Sequence, residues 1–180
     1  MLKKIVLMFA FVFGVAAVPV YAAEGDKTVT EDIISIGQGG KLYIEHTQIE
    51  GMIGSFDKII RDRLNRPIVI FDSEGRRIEK VYEEDLNHDG DAELLVQMDL
   101  GGSAGYKEFA LLQHDSGSYK LLWEDTGYPN AKVTFRKYMG KTVIYIRYLN
   151  TEFDPPKTKT KAFEFLEDGR VIPMTAEKAG

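Results

Sequence analysis

Apolar residues in this chain recur at every second position, in short runs cut apart by turn-forming residues, and that period of two narrows the available folds more than any other feature. Lys41 to His46 alternates after Gly39-Gly40, and Arg77 to Tyr82 alternates again. Pro67 to Phe71 is a short apolar run closed by Asp72-Ser73-Glu74-Gly75. Glu93 to Met98, Tyr106 to Gln113, Tyr119 to Trp123, Lys132 to Arg136, Thr142 to Leu149 and Lys161 to Leu166 continue the series, with Gly, Ser and Asp between them. Short β-branched and aromatic segments about 10 to 15 residues apart predict an all-β domain of antiparallel sheets. One stretch departs from the pattern. Met52, Ile53, Phe56, Ile59, Ile60 and Leu64 fall at helical spacing behind a capping Ser55. They predict one short helix near 52–64, with a strand through Phe56 to Ile60 as the alternative.

The start of the chain reads as an export signal. Met1-Leu2-Lys3-Lys4 is positive, Ile5 to Val20 carries no charge, and Val20-Tyr21-Ala22 ends in the small residues that signal peptidase accepts. Cleavage is expected after Ala22 or Ala23, which places the product in the periplasm or outside the cell. The alternative is a membrane anchor, but an apolar run of 16 residues is short for a hydrocarbon core of about 30 Å. No cysteine follows the run, so a lipid attached to one is excluded, and no stable membrane anchor is expected after cleavage.

The absence of cysteine throughout rules out disulfide staples, thiolate chemistry and Cys-ligated zinc. Residues 23–180 are long enough to bury their own core, and no shift of composition divides them. A single β-rich domain is expected, entered through a polar leader from Ala23 to about Glu31. Asp154-Pro155-Pro156-Lys157-Thr158-Lys159 is a loop too short to link two domains. Without Lys3 and Lys4 the chain has 21 basic residues against 28 acidic ones. That balance argues against nucleic acid, which is bound by neutralising phosphates, and suits a domain that holds cations.

One loop is built for such a cation. In Asp85-Leu86-Asn87-His88-Asp89-Gly90-Asp91-Ala92-Glu93, oxygen side chains stand at relative positions 1, 3, 5 and 9, with glycine at position 6. Calcium takes six to eight oxygens in a flexible shell, and a chain curling round it turns alternate side chains inward. The glycine permits the sharp turn. Asp85, Asn87, Asp89 and Glu93 are the expected side-chain ligands, and Asp91 would offer its carbonyl while its carboxylate points away. Position 12 is Val96 and the flanks read as strands, so the loop is not an EF-hand.

The run Asp85 to Val96, followed by Gly101-Gly102-Ser103-Ala104-Gly105-Tyr106 and Leu121-Leu122-Trp123-Glu124-Asp125, resembles FG-GAP/VCBS-type repeats. These are calcium-loop modules that build β-propeller blades in exported proteins. The resemblance implies Asp85, Asn87, Asp89, the Asp91 carbonyl and Glu93 as ligands of a structural Ca2+ that pins a hairpin, with partners bound by other loops. In those proteins the loop recurs, whereas here it occurs once. The expectation is therefore a small propeller-like or sandwich-like domain.

Other motifs are weaker. Gly101-Gly102-Ser103-Ala104-Gly105 matches G-x-S-x-G, but a nucleophile elbow needs a helix after the serine, then an acid and a histidine. Tyr106 to Leu112 reads as a strand, and only His114 lies downstream. His46, His88 and His114 have no zinc spacing. Paired carboxylates for a small hydrolase are available in number but not in any legible arrangement. Ser116-Gly117-Ser118-Tyr119 is similar to the loop of periplasmic lysozyme inhibitors, one residue short. The reading is a calcium-binding module without enzymatic activity that serves a protein or glycan partner. A lysozyme-type inhibitor is the alternative and a small hydrolase the second.

Overall fold

The computed structural model describes residues 27–37, 40–48 and 55–174. The expected export signal, its cleavage point, Met52 and Ile53 lie outside the described residues. Every regular element is a strand: β1 (Lys27–Gly37), β2 (Gly40–Gln48), β3 (Phe56–Asp62), β4 (Pro67–Asp72), β5 (Arg77–Glu84), β6 (Glu93–Asp99), β7 (Tyr106–Asp115), β8 (Ser118–Pro129), β9 (Lys132–Tyr138), β10 (Lys141–Asn150), β11 (Lys157–Phe165) and β12 (Val171–Met174). They form three antiparallel sheets, each a meander of four consecutive strands in sequence order. The all-β expectation therefore holds, in a sandwich-like arrangement of three sheets.

The turns explain why consecutive strands pair. Asp115 faces Ser118 and Tyr138 faces Lys141, so each connection is two residues long. Such turns match the twist of the strands when both central residues have positive φ. Ser116 and Gly117 stand at 49° and 92°, Met139 and Gly140 at 50° and 80°.

The sheets stack in chain order. Leu42, Ile44, Ile59 and Phe71 of the first sheet meet Ile78, Leu94, Val96, Met98 and Leu112 of the second in one core. Leu95, Phe109 and Leu111, on the other side of the second sheet, meet Ile144, Ile146, Phe163 and Phe165 of the third. The middle sheet is thus covered on both sides. This is why β6 reads Glu-Leu-Leu-Val-Gln-Met without alternation, with all six residues buried.

The helix expected near 52–64 is not formed over the described part of that stretch. Phe56 to Asp62 is β3, paired along its length with β2 and β4. The helical spacing came from the adjacent Ile59 and Ile60. Ile59 fills the core beside the buried Asp57 and Arg61, and Ile60 faces the other way opposite Tyr43 and Val69. Leu64 and Asn65 have φ of 56° and 60° and close a β-turn instead of a helical one. Ladder bonds to two neighbours outweighed local periodicity.

Asp57 is fully buried, accepting the Ile78 amide at 2.7 Å and pairing with His46 Nδ1 at 2.7 Å. It fastens the start of β5 to the first sheet. Gly40, at φ 104°, approaches the same sheet so closely that a Cβ would stand 2.2 Å from the Asp62 carbonyl oxygen. Gly40→Ala is expected to destabilise the fold by about 2 kcal/mol or more. Gly75→Ala, whose Cβ meets only the Phe56 ring at 3.8 Å, should cost about half as much, from the positive φ alone. Urea unfolding midpoints of the two variants check the order.

Candidate metal centre

The connection between β5 and β6 is the expected loop, and its side chains fold it from within. Asn87 Oδ1 accepts the Asp89 amide at 3.0 Å, Asp89 Oδ1 the Asp91 amide at 2.8 Å, and Asp85 Oδ2 the Gly90 amide at 3.2 Å. The first two are the short-range bonds by which Asx side chains hold a turn, and the third closes the loop across five residues. Gly90 stands at φ 94°, as its place in the spacing requires, but His88 also adopts a positive φ, 62°. Leu86 is 2 % exposed and sits in the core between the second and third sheets, anchoring the loop.

Glu93 lies beneath this curl, 1 % exposed. Its Oε2 accepts the Leu86 amide at 2.8 Å, while its Oε1 and the Oδ1 of Asp85 are buried without a hydrogen-bond partner. Burial pushes the Glu93 carboxyl up to about 7; the Leu86 amide opposes this, and the charges of Asp89 and Asp85 add to it. Asn87 Nδ2 donates to Asp89 Oδ2 at 2.6 Å. Asp85, Asn87, Asp89 and Glu93 thus share one short loop, in which one oxygen each of Asp85 and Glu93 is buried and left unsatisfied. Asp57, Asp62 and Ser55 each carry a similar orphan oxygen, but not inside a run of oxygen side chains. Among the described residues no three His, Asp or Glu side chains already stand at mutual metal-holding distance. The loop's amides instead occupy one oxygen of each expected ligand side chain.

The donor set fits a hard cation: three carboxylates and an amide oxygen, with no sulfur or imidazole directed inward. The Asp91 side chain is not part of it, its expected contribution being the backbone carbonyl. Its carboxylate is turned to His114 Nδ1 at 3.1 Å, and the His114 ring lies against Tyr119 at 5.2 Å. The loop is thereby tied to the β7–β8 hairpin, whose tip is held in turn by Arg61 Nη1 on the Gly117 carbonyl at 2.6 Å. On the other flank His88 Nε2 lies 3.1 Å from Lys137 Nζ. A groove of about 600 Å³ runs from Leu86, Asn87 and His88 to Gly140, Lys141 and Phe165–Asp168.

Sequence reasoning missed Leu86, His114 and Arg61 as supports of this region. Leu86 carried a signal, being the one large apolar residue in an acidic loop. His114 and Arg61 act across strands and carried none. The segment Gly101–Gly105 is a turn leading into strand β7, without the helix a nucleophile elbow requires. Comparison with protein-family models, with curated proteins and with solved structures finds no match.

Proposed function

We propose that the protein is an exported β-domain, periplasmic or secreted, which holds one Ca2+ in the Asp85–Glu93 loop and serves as a binding or structural module. The observation that carries this reading is that Asp85 Oδ1 and Glu93 Oε1 are both buried without partners in a loop of calcium spacing. A buried acceptor that nothing satisfies is costly, more so when it is ionised. Bound Ca2+ supplies the two positive charges that three neighbouring carboxylates lack. Asp85 and Glu93 hold it from the ends of β5 and β6, Asn87 and Asp89 close the curl, and Asp91 keeps its carboxylate on His114. The hairpin is then locked where it meets the third sheet.

Glu93 has the raised pKa that a general acid needs, but at 1 % exposure it is not offered to a substrate. That favours a module over a hydrolase. A protein or glycan partner finds room in the groove beside Asn87 and His88.

Direct titration with calcium tests the reading. One equivalent should bind, in the micromolar to millimolar range open to extracellular oxygen-ligand sites, and Asp89→Ala should abolish binding while leaving the fold intact. Equal affinity for magnesium, or no binding at millimolar calcium, sinks it.

A further inference from the structure

Two of the turns carry a side chain that their geometry does not favour. Arg63 and Arg66 exchange both amide bonds, at 3.3 and 3.1 Å, around Leu64 and Asn65 at φ 56° and 60°. Tyr138 and Lys141 face each other across Met139 and Gly140, which stand at 50° and 80°. The first central position of such a turn suits Asn, Asp or Gly, and a long aliphatic residue there is held in a left-handed backbone at a cost. Packing recovers none of it. Leu64 is 88 % exposed and Met139 85 %, against 55 % for the next large apolar residue among those described. Strain that packing does not offset points to a use outside the fold.

Both tips lie at the end of the molecule that holds the acidic loop. Arg61, two residues before Arg63, reaches the Gly117 carbonyl of the β7–β8 turn, and the loop is tied to that same hairpin through Asp91 and His114. On its other flank the loop meets Lys137, two residues before Met139, through His88. Across this end, therefore, stand Leu64 on the first sheet, the loop on the second and Met139 on the third. Each tip has cations beside it, Arg63 and Arg66 at one and Lys137 and Lys141 at the other. In a chain of net charge −5, Arg63 and Arg66 form no ion pair with a described residue.

We propose that this end docks on an anionic phospholipid leaflet, with Leu64 and Met139 entering it and the flanking cations meeting its phosphates. Two single side chains on separate sheets, each open on every side, would need two apolar sockets at one fixed spacing in a rigid protein partner. A fluid leaflet receives both whatever their spacing. The aliphatic stems of Arg and Lys can lie along the leaflet while their charges stay among the headgroups, where the negative surface potential attracts them. Asp85, Asp89 and Asp91 stand between the tips and repel such a surface. Here the inference rests on the calcium reading above: an ion in the loop offsets that repulsion, so docking follows calcium.

Sedimentation with phosphatidylglycerol-containing vesicles tests this, using the chain freed of residues 1–22, which retains every described strand. In 1 mM calcium the chain should bind, and in chelator or on pure phosphatidylcholine it should bind about tenfold more weakly or worse. L64N and M139N should each weaken binding about tenfold, the worth of one large aliphatic side chain buried. Both place a favoured residue at the strained position, and M139N gives its turn the Asn-Gly pair. They should melt no lower than the native chain, so damage to the fold cannot mimic the loss. R63Q/R66Q should weaken binding by a similar factor, and more so at low salt. Tip variants that bind as tightly as the native chain overturn the proposal, as does equal binding to phosphatidylcholine or equal binding in chelator. Self-association that L64N abolishes overturns it in favour of a second copy. Calcium titration without vesicles reads the loop separately. A chain that takes up calcium but binds no vesicle overturns this inference alone, whereas one that takes up no calcium brings both readings down.

Discussion

Phe109→Ala should cost about 3–5 kcal/mol, the range for emptying a fully buried aromatic site. Phe109 is wholly buried on the side of the middle sheet that faces the third. Its ring meets Tyr128 edge-on at 5.5 Å, and Tyr128 is itself fixed by Asp125, by Lys161 at 3.0 Å and by the Tyr148 ring at 5.1 Å. The surroundings are too well tied to close over the gap. Leu121→Ala, at a side chain 44 % exposed, should change stability by less than about 1 kcal/mol. Urea unfolding followed by Trp123 fluorescence compares the two. A Phe109→Ala loss as small as that of Leu121→Ala would mean that the second and third sheets are not packed as described.

The second large effect concerns Glu93. If calcium binds with a dissociation constant of about 10 μM, 1 mM of it should add about 2.7 kcal/mol, or roughly 5–10 °C for a domain of this size. Glu93→Gln should remove that gain. Without metal the same substitution should act in the opposite direction. The carboxyl is raised from 4.5 to about 7 in the folded chain, so the native state binds its proton more tightly than the unfolded state does. Relative stability from this group is fully present below pH 4.5 and is lost as pH rises through about 7. In chelator at pH 8, Glu93→Gln should therefore be the more stable form, by on the order of 1–2 kcal/mol once screening by water at the exposed neighbouring carboxylates is allowed for. At pH 4 the two forms should melt together. Melting curves at both pH values, with chelator and with calcium, contain the whole test. A variant that keeps the calcium shift would remove Glu93 from the ligand set.

The strands were legible because each sheet is made of consecutive segments. Alternation marks the segments, and the Ser-Gly and Met-Gly pairs mark the turns. The run from Glu93 to Met98 was legible as a strand, but not as one covered on both sides, which only its burial shows. Periodicity does not say which sheet lies against which, nor does it separate β3 from a helix, because Ile59 and Ile60 satisfy both patterns. Only the ladders to β2 and β4 decide that. The gathering of Asp85, Asn87, Asp89 and Glu93 was readable because every member lies within one short loop. The ties of Asp91 to His114 and of Arg61 to Gly117 were not, since each joins residues far apart in sequence through strand register. The burial that lifts Glu93 was hidden for the same reason: the covering residues come from elsewhere in the chain.

Three sheets stacked in the order in which they are written carry a consequence for how such a chain comes into being. As it emerges from its N-terminus, the first four strands can pair at once, yet Leu42, Ile44 and Ile59 stay bare until β5, β6 and β7 have followed. The second sheet then waits in the same way, with Leu95, Phe109 and Leu111 uncovered until β9, β10 and β11 arrive. A half-made chain is thus always one sheet short of closing and has to be kept from other half-made chains during that interval. The finished chain inherits the same condition. Trimming it from either end removes a sheet and bares a core together, so the domain has no smaller version of itself.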